Sequence, residues 1–113
     1  MDEAEAARES GNALFKAQSY AEASEKYVEA VELLQKVAEA AGGKARQESL
    51  HKCRLNRAAC LMKLQSYAAA RRECEAVLRD DAAHAKAHFR LGQAAEALGE
   101  LSEVAARARA RVG

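Results

Sequence analysis

Gly11-Asn-Ala-Leu-Phe-Lys-Ala-Gln-Ser-Tyr20 and Ala58-Ala-Cys-Leu-Met-Lys-Leu-Gln-Ser-Tyr67 are two copies of one pattern. In each, a small residue is followed three positions later by Leu14 or Leu61, and nine positions later by a tyrosine that follows Gln-Ser. A third, weaker copy runs from Gly92 through Ala95 to Leu101. Small residues at the head of the pattern let two helices approach closely. The bulky residue at its end opens a second helix and wedges between neighbours. The unit is therefore a helical hairpin, and a repeat of such units determines the fold before any single element does.

The remaining composition agrees. Proline is absent and only five residues are aromatic, while alanine, glutamate, lysine and arginine abound, which favours helix throughout. At 113 residues there is room for one domain and no second core. The pattern predicts an all-α fold with six helices, at about 3–17, 20–41, 44–64, 67–79, 84–97 and 100–111, with turns at Gln18-Ser19, at Gln65-Ser66 and around Gly99. Repeats are expected at about 4–41, 44–81 and 84–113. Ala58 and Gly92 are 34 residues apart, the period of the tetratricopeptide repeat. Gly11 and Ala58 are 47 apart, so the first junction holds 13 extra residues. Within them only Gly42-Gly43 breaks helical spacing, which predicts two lengthened helices and a protruding hairpin tip.

Several function classes find little support. The formal net charge of +1 gives no bulk attraction to nucleic acid or acidic lipid, so electrostatic function has to be local. No apolar run approaches the roughly 18 residues that cross a bilayer, and Met1-Asp2-Glu3-Ala4-Glu5 is acidic where a signal peptide is basic. Cys53, Cys60 and Cys74 make no C-x-x-C pair and are odd in number, so they read as reduced thiols in a cytosolic or nuclear protein, with Cys60 and Cys74 facing neighbouring helices. His84 and His88, four apart, lack a third ligand at suitable spacing for a metal. Gly42-Gly43-Lys44 lacks the rest of a phosphate loop, and no nucleophile and base pattern appears, so neither enzyme activity nor a cofactor is expected. Arg107, Arg109 and Arg111 have no interleaved aromatics to stack on bases.

The informative polar residues are Arg8, Asn12, Asn56, Lys86 and Arg90, all on the expected first helices of the three copies and read as recurring at equivalent places in them. Arg8 and Asn12 are four apart, as are Lys86 and Arg90, so each pair shares a helix face. Asparagine is a poor helix-interior residue, because its amide competes for backbone hydrogen bonds. Three cations and two amides converging on a groove suit a pair of carboxylates.

In these residues the chain resembles the carboxylate-clamp tetratricopeptide domains of co-chaperones. The family pattern Lys/Arg-x-x-Gly-Asn is matched by Arg8-Glu-Ser-Gly-Asn12, Asn-Arg-Ala by Asn56-Arg57-Ala58, and Lys-Ala-x-x-Arg by Lys86-Ala-His-Phe-Arg90. The resemblance spans nearly the whole chain. It implies three hairpins stacked in a right-handed superhelix whose first helices line a concave surface. It implies binding of the C-terminal Glu-Glu-Val-Asp (EEVD) tails of Hsp90 and Hsp70, with no nucleic acid and no membrane insertion. Arg8, Asn12 and Asn56 are then expected to hold the terminal carboxylate and aspartate, and Lys86 and Arg90 the preceding acidic groups. Phe15, Ala59 and Met62 are expected to form a pocket for the peptide valine, and Lys63 to add a charge. The longer first junction resembles that of immunophilin-type and myosin-chaperone-type co-chaperones.

Three features depart from the family. Arg8 stands where lysine is more frequent, Leu101 replaces the third tyrosine, and Ala108 replaces a large residue. With no capping helix after the third repeat, either Arg107, Arg109 and Arg111 supply the polar outer face or the chain is part of a longer protein, and the second is the expectation. The competing expectation is a tetratricopeptide interaction scaffold for a partner unrelated to chaperones, which would bind an internal peptide as well as a free C-terminus.

Overall fold

The computed structural model describes residues 2–37 and 43–112, with side chains described up to residue 100. Among the described residues there are five helices and no strand: α1 Glu3–Lys16, α2 Tyr20–Lys36, α3 Gly43–Lys63, α4 Tyr67–Asp80 and α5 Ala85–Val112. The chain is all-α, and its hairpins are compatible with tetratricopeptide-like repeats. Each helix packs on the next, and α3 also meets α5.

The two Gln-Ser-Tyr turns are the same object built twice. At the first, the Gln18 N–H donates to the Phe15 carbonyl and the Ser19 N–H to the Leu14 carbonyl, each at 2.9 Å. At the second, Gln65 donates to Met62 at 3.1 Å and Ser66 to Leu61 at 2.8 Å. This is the paired bonding of a Schellman C-cap, which places its pivot residue in the left-handed region. Gln18 and Gln65 adopt φ of 64° and 63° there, without the glycine that such a position favours.

Close approach explains the small residue that heads each copy. A Cβ on Gly11 would come within 2.7 Å of Tyr27 Cε1, so the ring of α2 lies directly on the α1 backbone. In the second hairpin both partners change size together: Ala58 and Cys74 share one buried cluster with Leu55, Leu61 and Val77. Cys53, Cys60 and Cys74 are free and buried, serving as small apolar residues between helices. Arg57 ties the hairpins together. From α3 its Nε donates to Ser24 Oγ on α2 at 3.3 Å, while Nη1 meets Glu73 Oε1 on α4 at 3.1 Å.

Two expected boundaries fail. The second helix ends at Lys36, not near residue 41, because Val37 turns extended at ψ 131°. Arg46 caps that end, donating from Nε to the Leu34 carbonyl at 2.7 Å and satisfying a group the helix terminus leaves open. The expected hairpin tip falls on residues 38–42, outside the described residues. The second failure is larger. The turn expected around Gly99 is absent, and α5 runs unbroken over 28 residues. Gly99 stands seven residues after Gly92, as Gln18 and Gln65 stand after Gly11 and Ala58, but it is followed by Glu100-Leu101 in place of Ser-Tyr. Glutamate and leucine propagate a helix, and one glycine costs only about 1 kcal/mol within it. The described residues thus make two hairpins and one long helix, where the repeat pattern predicts three hairpins.

Candidate functional site

Asn12, Phe15 and Lys16 fall on one face of α1, at spacings of three and four. Asn56 and Ala59 of α3, Arg90 of α5 and the Tyr27 ring of α2 complete a cleft of about 280 Å³ with them. Three of the five expected clamp residues, Asn12, Asn56 and Arg90, therefore share one lining. The two asparagines do not occupy corresponding repeat positions, since Asn12 follows Gly11 by one residue and Asn56 precedes Ala58 by two. Their amides nevertheless meet, with Asn56 Nδ2 3.5 Å from Asn12 Oδ1. The Tyr27 hydroxyl donates to the same oxygen at 2.6 Å.

Arg8 and Lys86 stand apart from this lining. Arg8 borders a neighbouring cavity of about 150 Å³ with Asp2, Glu5, Leu34, Ser49 and Cys53. Its guanidinium lies 4.0 Å from Glu5, a partly exposed pair of little energetic weight. Lys86 is exposed on α5, one turn before Arg90. Arg90 is half-buried, and its Nε is enclosed with no hydrogen-bond partner among the described residues, an arrangement that leaves a strong donor unspent.

Of the expected auxiliary residues, Ala59 and Phe15 line the cleft. Phe15 also stands edge-on to Tyr20, with centroids 5.2 Å apart at 72°, so its ring divides its contacts between cleft and core. Met62 packs against the core around Leu61 and Val77 and does not line the cleft. Lys63 is exposed in the last turn of α3. Two lining residues lie outside the expected set. Lys16 carries a signal, being four residues after Asn12. Tyr27 carries none, because it lies on a second helix and its counterparts are Cys74 and Ala108.

The histidines near the start of α5 have local roles. His84 Nδ1 accepts the Ala87 N–H at 3.3 Å at the head of the helix, and His88 Nε2 donates to the Ala82 carbonyl at 2.7 Å. Within the cleft the available groups are amide N–H donors, the Arg90 guanidinium and the Lys16 ammonium. Donors of this kind are the chemistry that suits an anionic group.

No protein-family model matches the chain. It is 37% identical over 105 residues to protein unc-45 homolog B of Mus musculus, across 91% of this chain and 10% of that protein. It is 34% identical over 96 residues to the Hsp70/Hsp90 co-chaperone cns1 of Schizosaccharomyces pombe, across 85% of this chain and 24% of that protein. The chain thus corresponds to a tenth and about a quarter of these relatives' lengths.

Proposed function

We propose that the chain is a chaperone-associated, peptide-binding adaptor of the carboxylate-clamp tetratricopeptide class, taking the C-terminal EEVD tails of Hsp90 or Hsp70 in the cytosol. The observation that carries this reading is the convergence of Asn12, Asn56 and Arg90 on one cleft furnished with donors. The likeness to cns1, whose name places it with Hsp70 and Hsp90, supports the choice of partner. In this reading the two amides and Lys16 receive the terminal carboxylate. Arg90, with its unspent Nε, and exposed Lys86 receive the acidic side chains before it. Arg8 reaches the cleft from the adjoining cavity by exchanging Glu5 for the ligand, a weak pair to give up.

The test is calorimetric titration with a Met-Glu-Glu-Val-Asp peptide beside its C-terminally amidated form. The free acid is expected to bind in the micromolar range, about −7 to −8 kcal/mol, and the amide far more weakly. Asn56→Ala and Arg90→Ala should each weaken the free acid at least about tenfold with little change in melting temperature, since they remove donors to a charged group. Equal affinity for acid and amide overturns the clamp and favours a scaffold that grips peptide interiors.

A further inference from the structure

Tyr27 does more than fill space. It is 2% exposed, its ring lies on Gly11, and it is the one residue that α2 contributes to the cleft lining. Its hydroxyl ends 2.6 Å from Asn12 Oδ1, and Asn56 Nδ2 approaches that oxygen from α3 at 3.5 Å. An amide oxygen engaged by two donors has its plane fixed. Turned over, Asn12 would set its own NH2 against the NH2 of Asn56, two donors face to face, and would leave the cleft lined by a carbonyl oxygen.

We infer that Tyr27 is the positioning residue of the cleft: its hydroxyl turns the Asn12 side chain so that N–H donors, not the carbonyl oxygen, are presented to a ligand carboxylate. The inference rests on the carboxylate-clamp reading and adds to it the group that aims the clamp. One hydroxyl orients two amides, because Asn56 donates to the oxygen that Tyr27 has placed. Among the described residues the side-chain hydrogen bond of Asn56 is its donation to Asn12 Oδ1, so Asn56 takes its orientation from Asn12. Burial pushes the phenol up from its ordinary 10 to about 12, so it stays a donor throughout the physiological range.

The test is Tyr27→Phe, which keeps the ring on Gly11 and removes the donor. Affinities for the free-acid and amidated Met-Glu-Glu-Val-Asp peptides are measured in the wild type, in Tyr27→Phe, in Asn12→Ala and in the double variant. Loss of a donor's alignment toward a charged group is expected to cut the acid-to-amide affinity ratio about tenfold in Tyr27→Phe. No further loss is expected in the double variant, since Tyr27 acts through Asn12. A merely structural tyrosine would lower stability and leave the ratio alone. If the wild type discriminates and Tyr27→Phe discriminates equally well, the positioning role is overturned and the clamp survives. If the wild type does not discriminate, the clamp fails and the positioning role falls with it. Should Tyr27→Phe not fold, side-chain amide resonances of the wild type decide. Saturating free-acid peptide must shift the Asn12 NH2 protons, and unmoved protons overturn the inference.

Discussion

At the scale of the residue, Gly11 and Gly92 head equivalent copies of one pattern and have opposite surroundings. A Cβ at Gly11 meets the Tyr27 ring at 2.7 Å, whereas one at Gly92 meets nothing within 4 Å among the described residues. Tyr27 is enclosed in the core and cannot retreat, so Gly11→Ala is expected to destabilise by about 1–3 kcal/mol through overpacking. Gly92→Ala removes a glycine from an open helix surface and is expected to stabilise by about 1 kcal/mol. Urea unfolding of the two variants checks both signs, and equal effects would mean that the two glycines share one environment. The sequence shows the repeat position and not this difference, because the ring that creates it comes from another helix. The same limit applies to the cleft. Asn12, Asn56 and Arg90 are legible because motifs mark them, and Lys16 can be read from helical spacing. Tyr27 is hidden, since nothing in a second-helix aromatic distinguishes a hydroxyl aimed at an amide from a ring that only packs. Helical spacing sets Met62 beside Ala59, three residues away, and only packing decides that it turns to the core.

At the scale of the element, three of the six expected helices, those at about 3–17, 44–64 and 67–79, have boundaries close to those observed, because Gln-Ser-Tyr twice marks a stop and a start in one stroke. The failures lie where that signal is missing. The end of α2 depends on Arg46 reaching back twelve residues to the Leu34 carbonyl, a contact that no local pattern announces. The third turn depends on the two residues after Gly99, and Glu100-Leu101 extends the helix where Ser-Tyr would have ended it. This difference has a measurable sign. With Gly99 inside α5 and open space around it, Gly99→Ala is expected to stabilise by about 1 kcal/mol. Were residue 99 a left-handed pivot like Gln18 and Gln65, alanine there would cost about 1–2 kcal/mol. Helical ellipticity monitored through urea unfolding separates the two outcomes, and a destabilised variant would restore the six-helix arrangement. The converse substitution belongs to the same argument: Gln65→Gly, at φ 63°, relieves the strain of a side chain in the left-handed region and is expected to raise stability by roughly 0.5–1 kcal/mol.

At the scale of the whole molecule, the interior is unusual in what it buries: three thiols and a phenol, shared among the contacts that join α1, α2, α3 and α4. Burial disfavours their charged forms. It pushes Cys60 from an ordinary value of 9 up to about 11 and Tyr27 from 10 up to about 12, and it raises Cys53 and Cys74 as well. Linkage gives the sign of the consequence. Between the ordinary and the raised values the unfolded chain has released these protons and the folded chain still holds them, so the unfolded state binds fewer protons and stability falls as pH rises. Below about pH 9 both states are protonated at Cys60 and Tyr27 and their contribution is fully present; it is lost as pH rises through their folded values of about 11 and about 12. The urea midpoint, measured under reducing conditions, is therefore expected to hold steady from neutral pH to about pH 9 and then to decline steeply. Tyr27→Phe should remove the part of the decline that begins near pH 10, where the unfolded phenol ionises. A midpoint that stays level through about pH 11 would show that water reaches these groups in the folded state, and a core so wetted could not hold the Tyr27 hydroxyl on Asn12.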